Sequence, residues 1–228
     1  MSRIRVSFDS SLRRIVLLAL FGALSYVLML VVHFPVMFLT MDVKDVIITL
    51  GGLYFGPLSA LILSVLVPLM ELVTGMSSTG LYGLVMNILG TAMFSVTASL
   101  IYKYKKSFLG AIIGLLSGIA AMVAIMMVFN LLVTPHYMGV TVGEVQALIP
   151  TLLFPFNLVK GVLNAALVLL LYKPLSGVMQ RVGVLPRSEH PFRLDLRTVL
   201  VMTVSLALVI ASLIVVFAVL GGSFVFGI

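Results

Sequence analysis

Lys160 sits within Phe154-Pro155-Phe156-Asn157-Leu158-Val159-Lys160-Gly161-Val162-Leu163-Asn164, a stretch otherwise suited to hydrocarbon. An ammonium at membrane depth is costly unless something compensates it, so such a lysine is a candidate functional group. Asn157, Lys160 and Asn164 follow at i, i+3 and i+7 and share one helical face. The chemistry this offers is hydrogen bonding to a polar ligand edge inside an apolar medium. Catalysis has no comparable signature. There is no Gly-rich loop followed by Lys-Ser/Thr, no His-Glu-x-x-His and no nucleophile elbow. The three histidines, His33, His136 and His190, share no metal-ligand spacing, and there is no cysteine.

The elements that must position these groups are transmembrane helices. Of 228 residues, 62% are hydrophobic and only 9% charged, with a mean hydropathy of +1.29; a soluble domain carries about 25% charged residues. The net charge of +7 reflects basic residues collected in cytoplasmic loops rather than nucleic-acid binding. Arg3, Arg5, Arg13 and Arg14 precede the first apolar run with no convincing small-residue cleavage site, which reads as an uncleaved first helix.

Apolar runs cover roughly 15–33, 45–74, 80–101, 108–130, 151–172 and 198–221. The second is too long for one span of about 20 residues, and Gly56-Pro57 in its middle is a helix break. Splitting it there puts the N-terminal arginines, the Lys103/Lys105/Lys106 cluster and the Lys173–Arg197 segment on one side. Only Lys44 and Lys160 of the 14 basic residues are then left out. Charge therefore favours six helices with a cytoplasmic N-terminus: 15–33, 43–55, 57–74, 80–101, 108–130 and 151–172. Residues 1–175 are expected to form a six-helix membrane core, 176–197 a cytoplasmic linker and 198–228 an additional transmembrane helix and tail.

With this topology, Asp42, Asp45, Glu71 and Glu144 lie on or near the outer side, together with Asn87, Asn130 and a loop carrying Thr134, His136 and Tyr137. Each has a plainer use. Lys160 can pair with Glu71 or Glu144, the asparagines can bind helix to helix, and Asp42 and Asp45 can cap the second helix. Ala19 with Ala23, Gly110 with Gly114 and Gly118, and Ala207 with Ala211 are small-residue faces that allow close helix approach. For the glycines of helix five, packing within the chain is the expected use.

The order and spacing of these elements resemble the substrate-binding S components of energy-coupling factor (ECF) vitamin transporters, most closely the riboflavin type. The resemblance covers about residues 12–175. It rests on Ala19-x-x-x-Ala23, on Leu39-x-x-Asp42-x-x-Asp45 leading into Gly56-Pro57-Leu58, and on Thr79-Gly80-x-x-Gly83-x-x-x-Asn87-x-x-x-Gly90-Thr91. Asn130 followed by Pro135-x-Tyr137, and Pro155-Phe156-Asn157-x-x-Lys160-Gly161, complete it.

The resemblance implies an all-α membrane protein: a six-helix bundle with an outward vitamin pocket closed by the loop between helices one and two, plus one extra C-terminal helix. It implies that Asn130, Asn157 and Lys160 meet a flavin, with Asn87, Leu39, Met41, Asp45 and Tyr137 in the same site. It places Ala19 and Ala23 against a membrane-embedded coupling subunit, which two cytoplasmic ATPases drive while the S component topples to carry its ligand inward. Riboflavin is then the transported ligand rather than a cofactor, and the setting is a prokaryotic cell membrane. Helix three departs from riboflavin-type relatives in Val65-Leu66-Val67-Pro68-Leu69-Met70-Glu71, which leaves another flavin or vitamin-like ligand open. A non-transporting scaffold is the alternative from a different class.

Overall fold

A computed structural model describes residues 10–77, 79–185 and 196–223. Arg3, Arg5, Ser78, His190 and the rest of 186–195 in the polar linker lie outside the described residues. Helix α1 (Ser10–Val31) leads into an antiparallel hairpin of β1 (His33–Val36) and β2 (Leu39–Asp42), paired His33 to Asp42 through Val36 to Leu39. Then follow α2 (Lys44–Phe55), α3 (Pro57–Val73), α4 (Gly80–Tyr104), α5 (Phe108–Met138), a short α6 (Val142–Leu148) and α7 (Phe154–Arg181). Helix α8 (Leu196–Ile214) ends in a wider π-helical turn, Val215–Val219.

The break at Gly56-Pro57 is where charge placed it. Gly56 takes φ +97°, a left-handed value that costs glycine little, and Pro57 opens α3, where its missing N–H has no intrahelical partner to lose. Among the described residues, five helices can cross a membrane by length and composition, and α3 is a shorter apolar helix. Helix α2 has 12 residues, well short of the ~20 that a full span needs. The hairpin extends its N-terminal end: Val36, Met41 and Asp42 are all buried there.

Two expectations need correction. The segment with Thr134, His136 and Tyr137 is helix, not loop, because α5 runs on to Met138. Pro135 is tolerated close to the end, and Gly139, at φ +67°, stops the helix while its N–H and that of Val140 bond the Pro135 carbonyl. The sixth helix does not start cleanly near 151. A π-helical turn, Ile149–Leu153, carries Pro150 and feeds into α7, which continues past Pro174 to Arg181.

The glycines of α5 pack within the chain. A Cβ on Gly114 would lie 2.6 Å from the Ala98 carbonyl oxygen, and one on Gly118 would lie 2.6 Å from that of Phe94. Helices α4 and α5 therefore touch backbone to backbone, which favours association in lipid, where apolar burial gives little preference for protein over tails. Buried hydroxyls add glue, as where Ser25 Oγ donates to the Lys44 carbonyl at 2.8 Å and Thr49 meets Ser95 at 2.8 Å.

Basic residues gather at one end of the bundle. Arg13 donates to the Gly183 carbonyl at 2.6 Å, Arg14 donates to Phe55 at 2.9 Å, and Lys173 lies over the Phe108 ring. The opposite end carries the hairpin and the polar groups.

Candidate ligand-binding site

At the hairpin end, a cavity of about 300 Å³ opens between β2, the start of α2, the end of α3, the start of α4, the end of α5 and the start of α7. Its size falls at the lower edge of the range typical of small-molecule sites. The helices alternate in direction, so each contributes the end that lies on this side, Met29 near the end of α1 included.

A buried charge cluster forms the floor. Asp42 is its hub. Its Oδ2 accepts from Lys160 Nζ at 2.8 Å and from Lys44 Nζ at 3.0 Å. Lys44 also meets Glu71 Oε1 at 3.0 Å and Asn87 Oδ1 at 3.4 Å. Asn87 in turn donates Nδ2 to Glu71 Oε2 at 3.1 Å. Asp45 accepts from Thr91 Oγ1 at 2.7 Å. The ammonium groups of Lys160 and Lys44 compensate the buried carboxylate of Asp42.

Asn164 Nδ2, one helical turn beyond Lys160, donates to the backbone carbonyls of Asp42 at 3.3 Å and Lys160 at 2.9 Å. The stripe on α7 thus clasps the end of β2. Asn157 Nδ2 donates to the Leu153 carbonyl at 2.8 Å, and Asn130 Nδ2 to that of Met126 at 2.7 Å. Asn130 Oδ1 accepts from Thr134 Oγ1 at 2.9 Å. Each amide bonds its own helix through one N–H, which fixes its rotamer and leaves hydrogen-bonding capacity toward the cavity. The remaining walls are soft and flat: Met29, Met76, Met86, Met122 and Met126 line them with Phe38, Tyr82, Tyr137 and Phe156.

Of the residues singled out in the sequence, Asn130, Asn157, Lys160, Asn87, Leu39, Asp45 and Tyr137 all line this cavity. Met41 does not; it is fully buried in the apolar core beneath the hairpin. Val43, the N-cap residue of α2, makes no side-chain cap bond, but Asp42 Oδ1 accepts from the Lys44 N–H at 3.3 Å and Asp45 stands in the first turn. Asp42 Oδ2 turns to the lysines, and Asp45 Oδ1 to Thr91. Glu71 pairs with Lys44 rather than with Lys160, and Glu144 closes an exposed capping box with Thr141. Ala19 and Ala23 lie exposed on α1, away from this cavity.

Lys44 is the residue that sequence reasoning passed over. It is 1% exposed, yet it bears a charge at the start of an apolar helix. The rule that flagged Lys160 applies equally to it. It falls within the expected second helix, 43–55, and stands out there only as a basic residue left off the basic side.

Comparison with known proteins agrees with this architecture. The family described as "ECF transporter, substrate-specific component" matches residues 13–172. The riboflavin transporter RibU of Staphylococcus aureus (strain TCH60) is 27% identical over 180 residues, covering 75% of this chain and 94% of that protein. The riboflavin transporter FmnP of Bacillus subtilis (strain 168) is 24% identical over 190 residues, covering 78% of this chain and 97% of that protein. A solved chain described in "Structure and mechanism of the S component of a bacterial ECF transporter" superposes with a TM-score of 0.65 at 28% identity, covering 75% of this chain and 99% of its own length. A multi-pass helical bundle, a polar-floored cavity at one end and a family match across most of its length lead to one statement: this chain belongs to the substrate-specific components of ECF transporters.

Proposed function

We propose that this chain binds riboflavin in the cavity and presents it to a separate membrane-embedded coupling subunit driven by two cytoplasmic ATPases. The observation that carries the reading is the pairing of methionine-rich, aromatic walls with a short polar edge made by Asn130, Asn157 and Lys160. A flavin is planar and largely apolar across its rings, and its edge carries carbonyl and imide groups. Thioethers and aromatic rings suit the faces, and amides with an ammonium suit the edge. In a desolvated site, an unmatched polar group costs about 1–3 kcal/mol, which is how such an edge selects its ligand. The names of the two relatives point the same way.

The N-terminus and the basic end of the bundle face the cytoplasm, and the cavity faces outward, following the asymmetry of Lys and Arg. The exposed small residues Ala19 and Ala23 on α1 form the face offered to the coupling subunit. Residues 1–175 act as the binding core, 176–197 as the linker and 198–228 as an accessory helix and tail.

The test is direct. Purified full-length protein quenches riboflavin fluorescence at one-to-one stoichiometry, and Lys160→Ala and Asn157→Ala each weaken it strongly. Unchanged riboflavin fluorescence with the wild-type protein would overturn the ligand, and normal binding by both variants would overturn the site. Glu71, on the divergent third helix, pairs with Lys44, which favours a second reading in which another flavin or vitamin-like molecule occupies the same cavity. Mass spectrometry of small molecules that co-purify with the protein separates the two. A scaffold without a ligand predicts neither quenching nor a co-purifying molecule.

A further inference from the structure

Helix α8 lies beyond residue 172, where the family match ends. It packs along α7 through Thr198, Ser205 and Ser212, which are buried at seven-residue spacing, and Lys173 Nζ donates to Thr198 Oγ1. Its far end does something different. In the π-helical turn, Val216 is fully buried, and the Phe217 ring meets Phe34 of β1 edge to face, with centroids 5.2 Å apart at 73°. Leu220 is buried next to it, and the Ser223 N–H donates to the Pro35 carbonyl at 3.2 Å.

β1 is an edge strand. Its inner edge pairs with β2, so its outer backbone groups need partners where water is scarce. Ser223 supplies one of them. β2, held in register by β1, carries Leu39, Thr40 and Asp42 on the cavity wall, and Asp42 grips Lys160. Contacts therefore run without a gap from the C-terminal turn, through Phe34 and Pro35, to the floor of the cavity.

We propose that Phe217 is a positioning residue for ligand binding: with the Ser223 N–H it holds β1 in place, fixes the register of the hairpin over the cavity and slows ligand release. It acts through Phe34 and touches no ligand. The consequence for release rests on the riboflavin reading above; the hold on the hairpin does not.

Amide hydrogen exchange on ligand-free, full-length protein tests the hold. Phe217→Ala is expected to speed exchange of amides 33–42 about three- to tenfold, the range an aromatic pair of this kind supports, with α4 and α5 unchanged. Phe217→Tyr restores slow exchange. Ser223→Pro, which removes the donor without touching the ring, speeds the same amides. Val219→Ala, at a position 73% exposed on the same turn, leaves them alone. In stopped-flow quenching, Phe217→Ala raises the riboflavin release rate by a similar factor and changes association less than about twofold. The proposal is overturned if hairpin exchange is unchanged in both Phe217→Ala and Ser223→Pro, or if exchange rises equally across all helices. If the wild type does not quench riboflavin, the ligand reading fails, and the exchange result still decides the role of Phe217.

Discussion

Lys160 on α7 and Asp42 on β2 are separated by 118 residues of chain, and their side chains meet at 2.8 Å with both groups buried. The pair joins the helix that supplies most of the polar stripe to the hairpin that covers the cavity. It also explains how an ammonium is tolerated at this depth: a carboxylate compensates it, and its two remaining protons stay available to a ligand.

Removing the cation should therefore cost both binding and stability. Lys160→Met leaves Asp42 with Lys44 as its remaining ammonium partner, and riboflavin affinity is expected to fall about 100-fold or more. Breaking a buried pair from one side costs about 3–5 kcal/mol, so denaturant unfolding in detergent should show a loss of that order. Asp42→Asn keeps the shape of the side chain but strands the Lys160 ammonium, so it should cost a similar amount.

Lys44 and Glu71 should behave as a unit. Lys44→Met strands Glu71 and lowers stability by about 3 kcal/mol. Adding Glu71→Gln removes the stranded charge and should recover about 1–2 kcal/mol. A double-mutant cycle measured by denaturant unfolding reads the coupling, and strictly additive losses would show that the two side chains do not share a network.

Two glycines should give opposite results. Gly114→Ala places a methyl 2.6 Å from the Ala98 carbonyl oxygen and should destabilise the α4–α5 contact by about 1–3 kcal/mol. Gly177→Ala meets nothing within 4 Å in the helical interior of α7 and should raise stability by about 0.5–1 kcal/mol. Thermal unfolding of the two variants in one detergent compares them directly.

Thr91 holds Asp45 through a 2.7 Å hydrogen bond. Thr91→Val keeps the volume but removes the donor from a buried carboxylate, so a loss of about 1–3 kcal/mol is expected. Thr91→Ser, with the hydroxyl retained, should lose much less. Equal losses in the two variants would assign the effect to packing rather than to the hydroxyl.

The parts of this fold that were legible in the sequence are those governed by local rules. Gly56-Pro57 broke the long apolar run because of its backbone chemistry, and charge asymmetry gave the relative direction of the helices. Asn130, Asn157 and Lys160 stood out because polar groups in an apolar helix need a reason. The partners of those groups were not legible. Whether Lys160 meets Asp42, Glu71 or Glu144 depends on how far a strand reaches under a helix, and no spacing in the chain encodes that. The hairpin itself, only four residues on each side, was hidden by Pro35 and by its position next to a helix end. The continuation of α5 through Pro135 was not legible because proline ordinarily ends a helix, and here the helix runs three residues beyond it to Met138.

The distance along the chain between Asp42 and Lys160 also has a meaning in time. During synthesis, Asp42, Asp45 and Glu71 emerge with Lys44 as the only lysine yet present to balance them, which leaves a surplus of negative charge among these four side chains. The second ammonium of the cluster arrives 118 residues after Asp42, on a helix that must be drawn in against the cost of its own lysine. That surplus gives α7 a destination. A nascent chain halted before residue 154 should hold an unoccupied berth for a cation, and its exposed carboxylates should become reactive toward a carbodiimide that the finished protein resists.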